Sequence, residues 1–157
     1  NSNQYQANDL LSDILGRGKS SLLHQFGVKK SQIFSSLSSY VTGSIDPGLM
    51  IINGKLNDDI TFENAEKTLA NVFQELIIQT SESLKKVKNM ATSSITFGEI
   101  NLLNRAMSLA YSTNLGNTDL VNKEIDLIEA VTEKDLNSAI HTTLLESNCT
   151  TLYYYKN

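Results

Sequence analysis

Cysteine, histidine and excess positive charge are all scarce in this 157-residue chain, and each scarcity excludes a class of function. The single cysteine, Cys149, rules out an internal disulfide framework and leaves the redox compartment open. With no histidine near it in sequence, it reads as a half-buried strand residue rather than a nucleophile. The two histidines, His24 in LLHQF and His141 in AIHTTLL, are far apart. Neither has a second histidine at the spacing of His-Glu-x-x-His or His-x-x-Glu-His, the helical pairs with which zinc hydrolases grip their metal. Both are expected to pack on a helix surface or point to water. No Gly-x-Ser-x-Gly elbow supports a Ser-His-Asp arrangement, and Asp58-Asp59 reads as a turn former. No residue is therefore assigned a catalytic, metal-binding or cofactor-binding role.

Thirteen Lys and Arg stand against 17 Asp and Glu, for a net charge of -4. A basic footprint for nucleic acid is absent, and the dense cluster Lys85, Lys86 and Lys88 reads as the solvated face of a helix. No apolar run approaches the ~20 residues needed to span a bilayer, so no membrane span is expected. No charged leader precedes an apolar stretch, and the chain begins almost inside its first helix, which suggests a piece of a longer protein. The remaining composition, 40% hydrophobic and 19% charged, is that of one soluble globular domain over residues 1–157, of open localisation.

The stretch ILGRGKSSLL, residues 14–23, has the spelling of a phosphate loop without its requirements. Such a loop needs a glycine five residues before the Gly-Lys-Ser, where this chain has Asp13, and an apolar strand before it, where this chain has a polar leader. The alternative is a helix end. Ala7, Leu10, Leu11, Ile14 and Leu15 recur on one helical face, and Gly16 follows where a left-handed cap is wanted. Gly18 then permits a sharp reversal, with Ser20 or Ser21 capping a short second helix.

Residues 33–42 alternate as a strand, Leu37, Ser39 and Val41 against Ser36, Ser38 and Tyr40. Asp46, Pro47 and Gly48 form a turn into a second, antiparallel strand, LMIINGKL. Thr61 can cap a helix with Ala65, Leu69, Val72, Phe73 and Leu76 facing inward. A long helical stretch, 82–112, is expected to bend, pack closely or divide near Gly98. Val121, Ile125 and Ile128 mark a further helix, and Thr132 with Asp135 resembles a capping box for a last one, which turns Leu136, Ala139, Ile140, Thr143 and Leu144 inward. The final CTTLYYY has strand chemistry. This order predicts an α+β fold, helices packed on one face of an antiparallel sheet. Two or three strands make a thin sheet, marginal alone.

Four blocks in order, NDLLSDILGRGKSSLLHQ, DPGLMIINGKL, LKKVKN and IEAVTEKDLNSAI, together resemble the C-terminal domain of the pitrilysin/insulinase-type zinc peptidases, which include mitochondrial processing peptidase. The resemblance covers nearly the whole chain. It implies a metallopeptidase domain of the second, non-zinc-binding type, truncated at its N-terminus, with the His-x-x-Glu-His motif and its zinc in a missing N-terminal domain. The implied partners are that zinc-bearing domain, a second half-molecule or subunit, and a peptide substrate cleaved in the chamber they enclose. In the family's partner half an Arg and a Tyr reach the substrate; Val28 and Ser35 stand there in this chain. That departure points to the zinc-bearing half or to a catalytically dead assembly subunit. An unrelated α+β binding module is the remaining reading.

Overall fold

The centre of the structure is α1 (Asn3–Gly16), because its apolar stripe has protein on every side. In the computed structural model, which describes residues 2–43, 48–78 and 80–155, Ser2 caps this helix by accepting the Tyr5 N–H. Ala7, Leu10, Leu11, Ile14 and Leu15 are all buried, as their spacing predicts.

The exit from α1 differs from expectation. The left-handed glycine is Gly18, at φ +78°, and not Gly16. Gly16 is the last residue of the helix and lies hard against strand Ser39, a role that comes from closeness of two backbones and not from handedness. Neither Ser20 nor Ser21 caps the next helix. Leu22 already has helical angles, so the chain enters a π-wound helix, Leu23–Lys30, without an extended capping residue. The Ser21 hydroxyl instead donates back to the Gly18 carbonyl at 2.8 Å.

Strands β1 (Phe34–Val41) and β2 (Met50–Leu56) form an antiparallel pair. Ser35 is an extra residue between the pairs Phe34–Leu56 and Ser36–Lys55. This bulge explains why Phe34 and Leu37, three apart, are both buried when a regular strand would turn them to opposite faces. At the open end the Leu49 N–H donates to the Thr42 hydroxyl at 2.8 Å, and Gly48 lies so close to Thr42 that a Cβ there would fall 2.5 Å from its carbonyl oxygen. Asp46 and Pro47, expected in this turn, lie outside the described residues.

After the hairpin come helices α2 (Phe62–Ile78), α3 (Thr80–Gly98), α4 (Leu102–Asn114), α5 (Leu120–Glu129) and α6 (Glu133–Thr143). The sheet, α3 and α6 all pack on α1. The long helical stretch divides after Gly98, and Asn101 starts the second piece by accepting the Leu103 and Asn104 N–H groups. The capping box is present: Thr132 accepts from the Asp135 N–H, and Asp135 accepts from the Thr132 N–H at 2.8 Å. Leu136, Ala139 and Ile140 are buried behind it. The strand expected at CTTLYYY does not form among the described residues. Residues 149–155 carry no regular structure, because no neighbouring strand is there to pair with them, and Cys149 is exposed, not half buried. The result is an α+β domain, helix-rich, on a two-stranded antiparallel sheet.

Candidate functional site

The turn that spells Gly18-Lys19-Ser20 offers carbonyls, not N–H groups. The Gly18 carbonyl accepts from the Ser21 N–H and hydroxyl, the Lys19 carbonyl from the Gln25 side chain, and the Ser20 carbonyl from Lys86 Nζ at 3.1 Å. A run of carbonyl acceptors, one of them occupied by the Lys86 ammonium, is the opposite of a phosphate cradle, which needs convergent N–H groups. Arg17 fixes the same turn from the other side, donating to Asp13 at 2.7 Å and to Ser94 Oγ at 3.0 Å. The cleft of about 170 Å³ between this turn and α3 is lined by these same ion-paired groups together with Glu82 and Met90. Arg17, donating to Ser94, and Lys86, donating to the Ser20 carbonyl, hold α3 against the end of α1.

The lysine cluster has a structural use beyond solvation. Lys88 Nζ donates to the Glu129 carbonyl at 2.7 Å, placing a cation on the C-terminal end of α5 where carbonyls are unpaired. With Leu84 and Val87 buried, the block LKKVKN anchors α3 to the turn after α1 and to the end of α5 at once.

Asp9, on α1, is a carboxyl held at an electrostatic cost. Burial pushes its pKa above the usual range, the Asp13 carboxylate adds to the rise, Arg17 opposes it and Glu124 adds again. A carboxyl raised in the fold stabilises it below the unfolded pKa of about 3.9 and loses that contribution as pH rises through the folded value. Asp9→Asn is therefore expected to raise the melting temperature at pH 7, with the gain shrinking towards zero near pH 3. Thermal melts of both proteins across that range check the sign; a gain independent of pH would show that charge is not its cause.

His24 sits half buried on the π-wound helix and His141 is exposed on α6, and among the described residues no group of three or more His, Cys, Asp and Glu could hold an ion. These residues do not fit a zinc site. Val28, on the π-wound helix, is half buried against the core, and Ser35 is the bulge residue, its hydroxyl donating to the Lys55 carbonyl.

The surface feature that stands out is α4. Of its 13 residues only Ser112 is buried, although Leu102, Leu103, Met107, Leu109 and Tyr111 are large and apolar. Ile100 and Leu102 are 79% and 82% exposed. Between residues 90 and 117 only Glu99 and Arg105 carry charge.

Comparison with known proteins decides the family. The model of the family described as the Peptidase M16 inactive domain matches residues 1–91, which span α1, the hairpin, α2 and much of α3. The chain belongs to the Peptidase M16 inactive domain family. No curated protein matches it. Among solved structures, a "putative zinc protease" from Bordetella pertussis Tohama I superposes with a TM-score of 0.83 at 20% identity, covering 99% of this chain and 87% of that one. The "inactive peptidase domain" of a zinc protease so qualified from Bordetella parapertussis gives 0.81 at 19% identity, over 94% and 81% of the two chains. A protease from Helicobacter pylori gives 0.82 at 21% identity; 94% of this chain matches 36% of that one. At these identities the likeness establishes the fold, and the zinc-peptidase, pitrilysin-like character rests on the family. Sequence reasoning missed the exposure of α4, since its helical periodicity looks the same whether or not a partner covers it. Among the described residues no helix is long and apolar enough to cross a membrane.

Proposed function

We propose that this M16 inactive domain serves a zinc-dependent endopeptidase as a non-catalytic wall of its peptide chamber, held through α4 to the zinc-bearing domain of the same parent. The observation that carries the reading is the uncovered apolar surface of α4, which is costly in water and nearly free of charge. A similar domain makes up about a third of the Helicobacter pylori protease chain, so that protein carries much further polypeptide in the same chain. In this reading zinc, and the water it activates, belong to the zinc-bearing domain of the parent; among the described residues here no group of three or more His, Cys, Asp and Glu could hold an ion.

Two measurements test this. The 1–157 chain incubated with zinc and an unstructured peptide is expected to leave the peptide intact; hydrolysis abolished by a chelator would overturn the non-catalytic assignment. In the parent, Leu103→Asp with Met107→Asp is expected to lower peptidase activity at least tenfold while leaving the melting temperature of the 1–157 chain within a degree or two, since both side chains are exposed. Unchanged activity would sink the docking role of α4.

A further inference from the structure

Helices α4 and α5 are lightly held. Only Ser112 is buried in α4 and only Ile128 in α5. The two pack on each other, and α5 also rests on α3 and α1. Their anchorage lies at one end, where Ile128 and Val131 are buried and Lys88 Nζ, on α3, donates to the Glu129 carbonyl at 2.7 Å. At the other joint, residues 99–101 between α3 and α4 are all exposed.

The seam between this pair and α1 is built of acids. Tyr5, Asp9, Asp13 and Arg17 recur every fourth residue along one side of α1. Across from them, Glu124 of α5 acts on Asp9 and Tyr5, Tyr111 of α4 acts on Tyr5, and Glu99, in the turn after α3, acts on Glu124. The cation acting on Asp9 is Arg17, which is already paired with Asp13. Neither the Asp9 nor the Glu124 carboxylate has a hydrogen bond or ion pair among the described residues. Other neighbours supply no counter-charge: Lys86 and Lys88 of α3 donate to the Ser20 and Glu129 carbonyls, and α6 meets α1 beside Asp9 through neutral groups, Thr143 donating to Asn8 at 2.6 Å. Burial first, and like charge second, hold both carboxyls above their ordinary range. A carboxyl raised by the closed seam favours closure below its free value, about 3.9 for Asp and 4.3 for Glu, and stops favouring it as pH rises through the raised one.

We propose that α4 and α5 form one arm, pinned at the buried Ile128 and Val131, that closes on α1 in acid and loosens towards neutral pH. Its consequence for the parent, an apolar α4 face offered differently at different pH, rests on the docking role proposed above. The loosening itself belongs to this chain and needs no partner.

Hydrogen exchange of the 1–157 chain, followed by mass spectrometry at about pH 4.5 and about pH 7.5, tests it. Rates for residues 102–129 are taken relative to the amides of α1, which share the intrinsic change of exchange rate with pH. The expected result is relative exchange at least about threefold faster at the higher pH. Asp9→Asn with Glu124→Gln is expected to keep the arm closed at both pH values. Asp126→Asn, at an exposed acid of α5 that acts on neither Asp9 nor Tyr5, is expected to respond as wild type does. A relative rate indifferent to pH overturns the proposal, and so does a response that survives in the double variant or disappears in Asp126→Asn. Peptidase activity is not read, so the outcome is separate from the fate of the proposed function.

Discussion

Gly16→Ala is expected to destabilise the domain by about 2 kcal/mol or more, even though alanine is the better helix former by up to about 1 kcal/mol. A Cβ at this position would lie 2.0 Å from the backbone nitrogen of Ser39 and 2.7 Å from its Cα. Backbone in a paired strand cannot swing aside as a side-chain tip can, so α1 has to lift from β1. The buried faces of Leu10, Leu11, Ile14 and Leu15 then lose contact together. Gly18 provides the contrast. It has φ +78° and nothing within 4 Å of where a Cβ would sit, so Gly18→Ala should lose only the cost of a left-handed alanine, about 1 kcal/mol. Asparagine tolerates that conformation, so Gly18→Asn should recover part of the loss, while Gly16→Asn should be worse than Gly16→Ala. Urea denaturation of the four variants separates the two mechanisms. A Gly16→Ala midpoint equal to wild type would show that the helix and strand are not in the contact described.

The same pair of glycines shows what could be read from the sequence and what could not. Helical periodicity located α1, α2, α5 and α6 and nearly all of their buried residues, because burial of a stripe is a local pattern. The capping box was legible for the same reason: its partners are three residues apart. Gly16 was misread because its constraint comes from Ser39, which is remote in sequence, and a glycine beside a helix end spells a left-handed cap equally well. The bulge at Ser35 was hidden among serines that fit either register. Leu102, Ala106 and Ala110 have inward-looking spacing and stay exposed, since periodicity reports an apolar face but not whether anything covers it. The tyrosines near the C-terminus have strand propensity, but among the described residues they join no ladder, because propensity says nothing about whether a partner strand is present. On the candidate site, the exclusion of phosphate followed from Asp13 and the polar leader before it, both local, while the use of Lys86 and Lys88 as donors to carbonyls depends on contacts 66 and 41 residues away in the chain.

Leu37→Ala is expected to cost about 3 kcal/mol, the middle of the range for a buried leucine, and its surroundings supply a stricter test than the loss alone. Leu37 sits between two glycines. A Cβ on Gly27, in the π-wound helix, would fall 2.7 Å from Leu37 Cδ2, and one on Gly54, in β2, would fall 2.7 Å from Leu37 Cδ1. The leucine thus occupies space that two absent side chains leave open, locking helix, β1 and β2 together. Gly27→Ala alone should destabilise by about 1–3 kcal/mol through this collision, its other near atom being Phe34 Cδ2 at a tolerable 3.4 Å. Combined with Leu37→Ala, the new methyl enters the cavity instead of a leucine. The double variant should therefore be more stable than the sum of the single losses predicts, by about 1 kcal/mol or more. Gly54→Ala should not be rescued to the same degree, because Phe34 Cδ1 remains 2.8 Å away after Leu37 is truncated. Denaturant midpoints for the complete cycle decide it: losses that add within about 0.5 kcal/mol for the Gly27 pair would mean that Leu37 does not fill that gap.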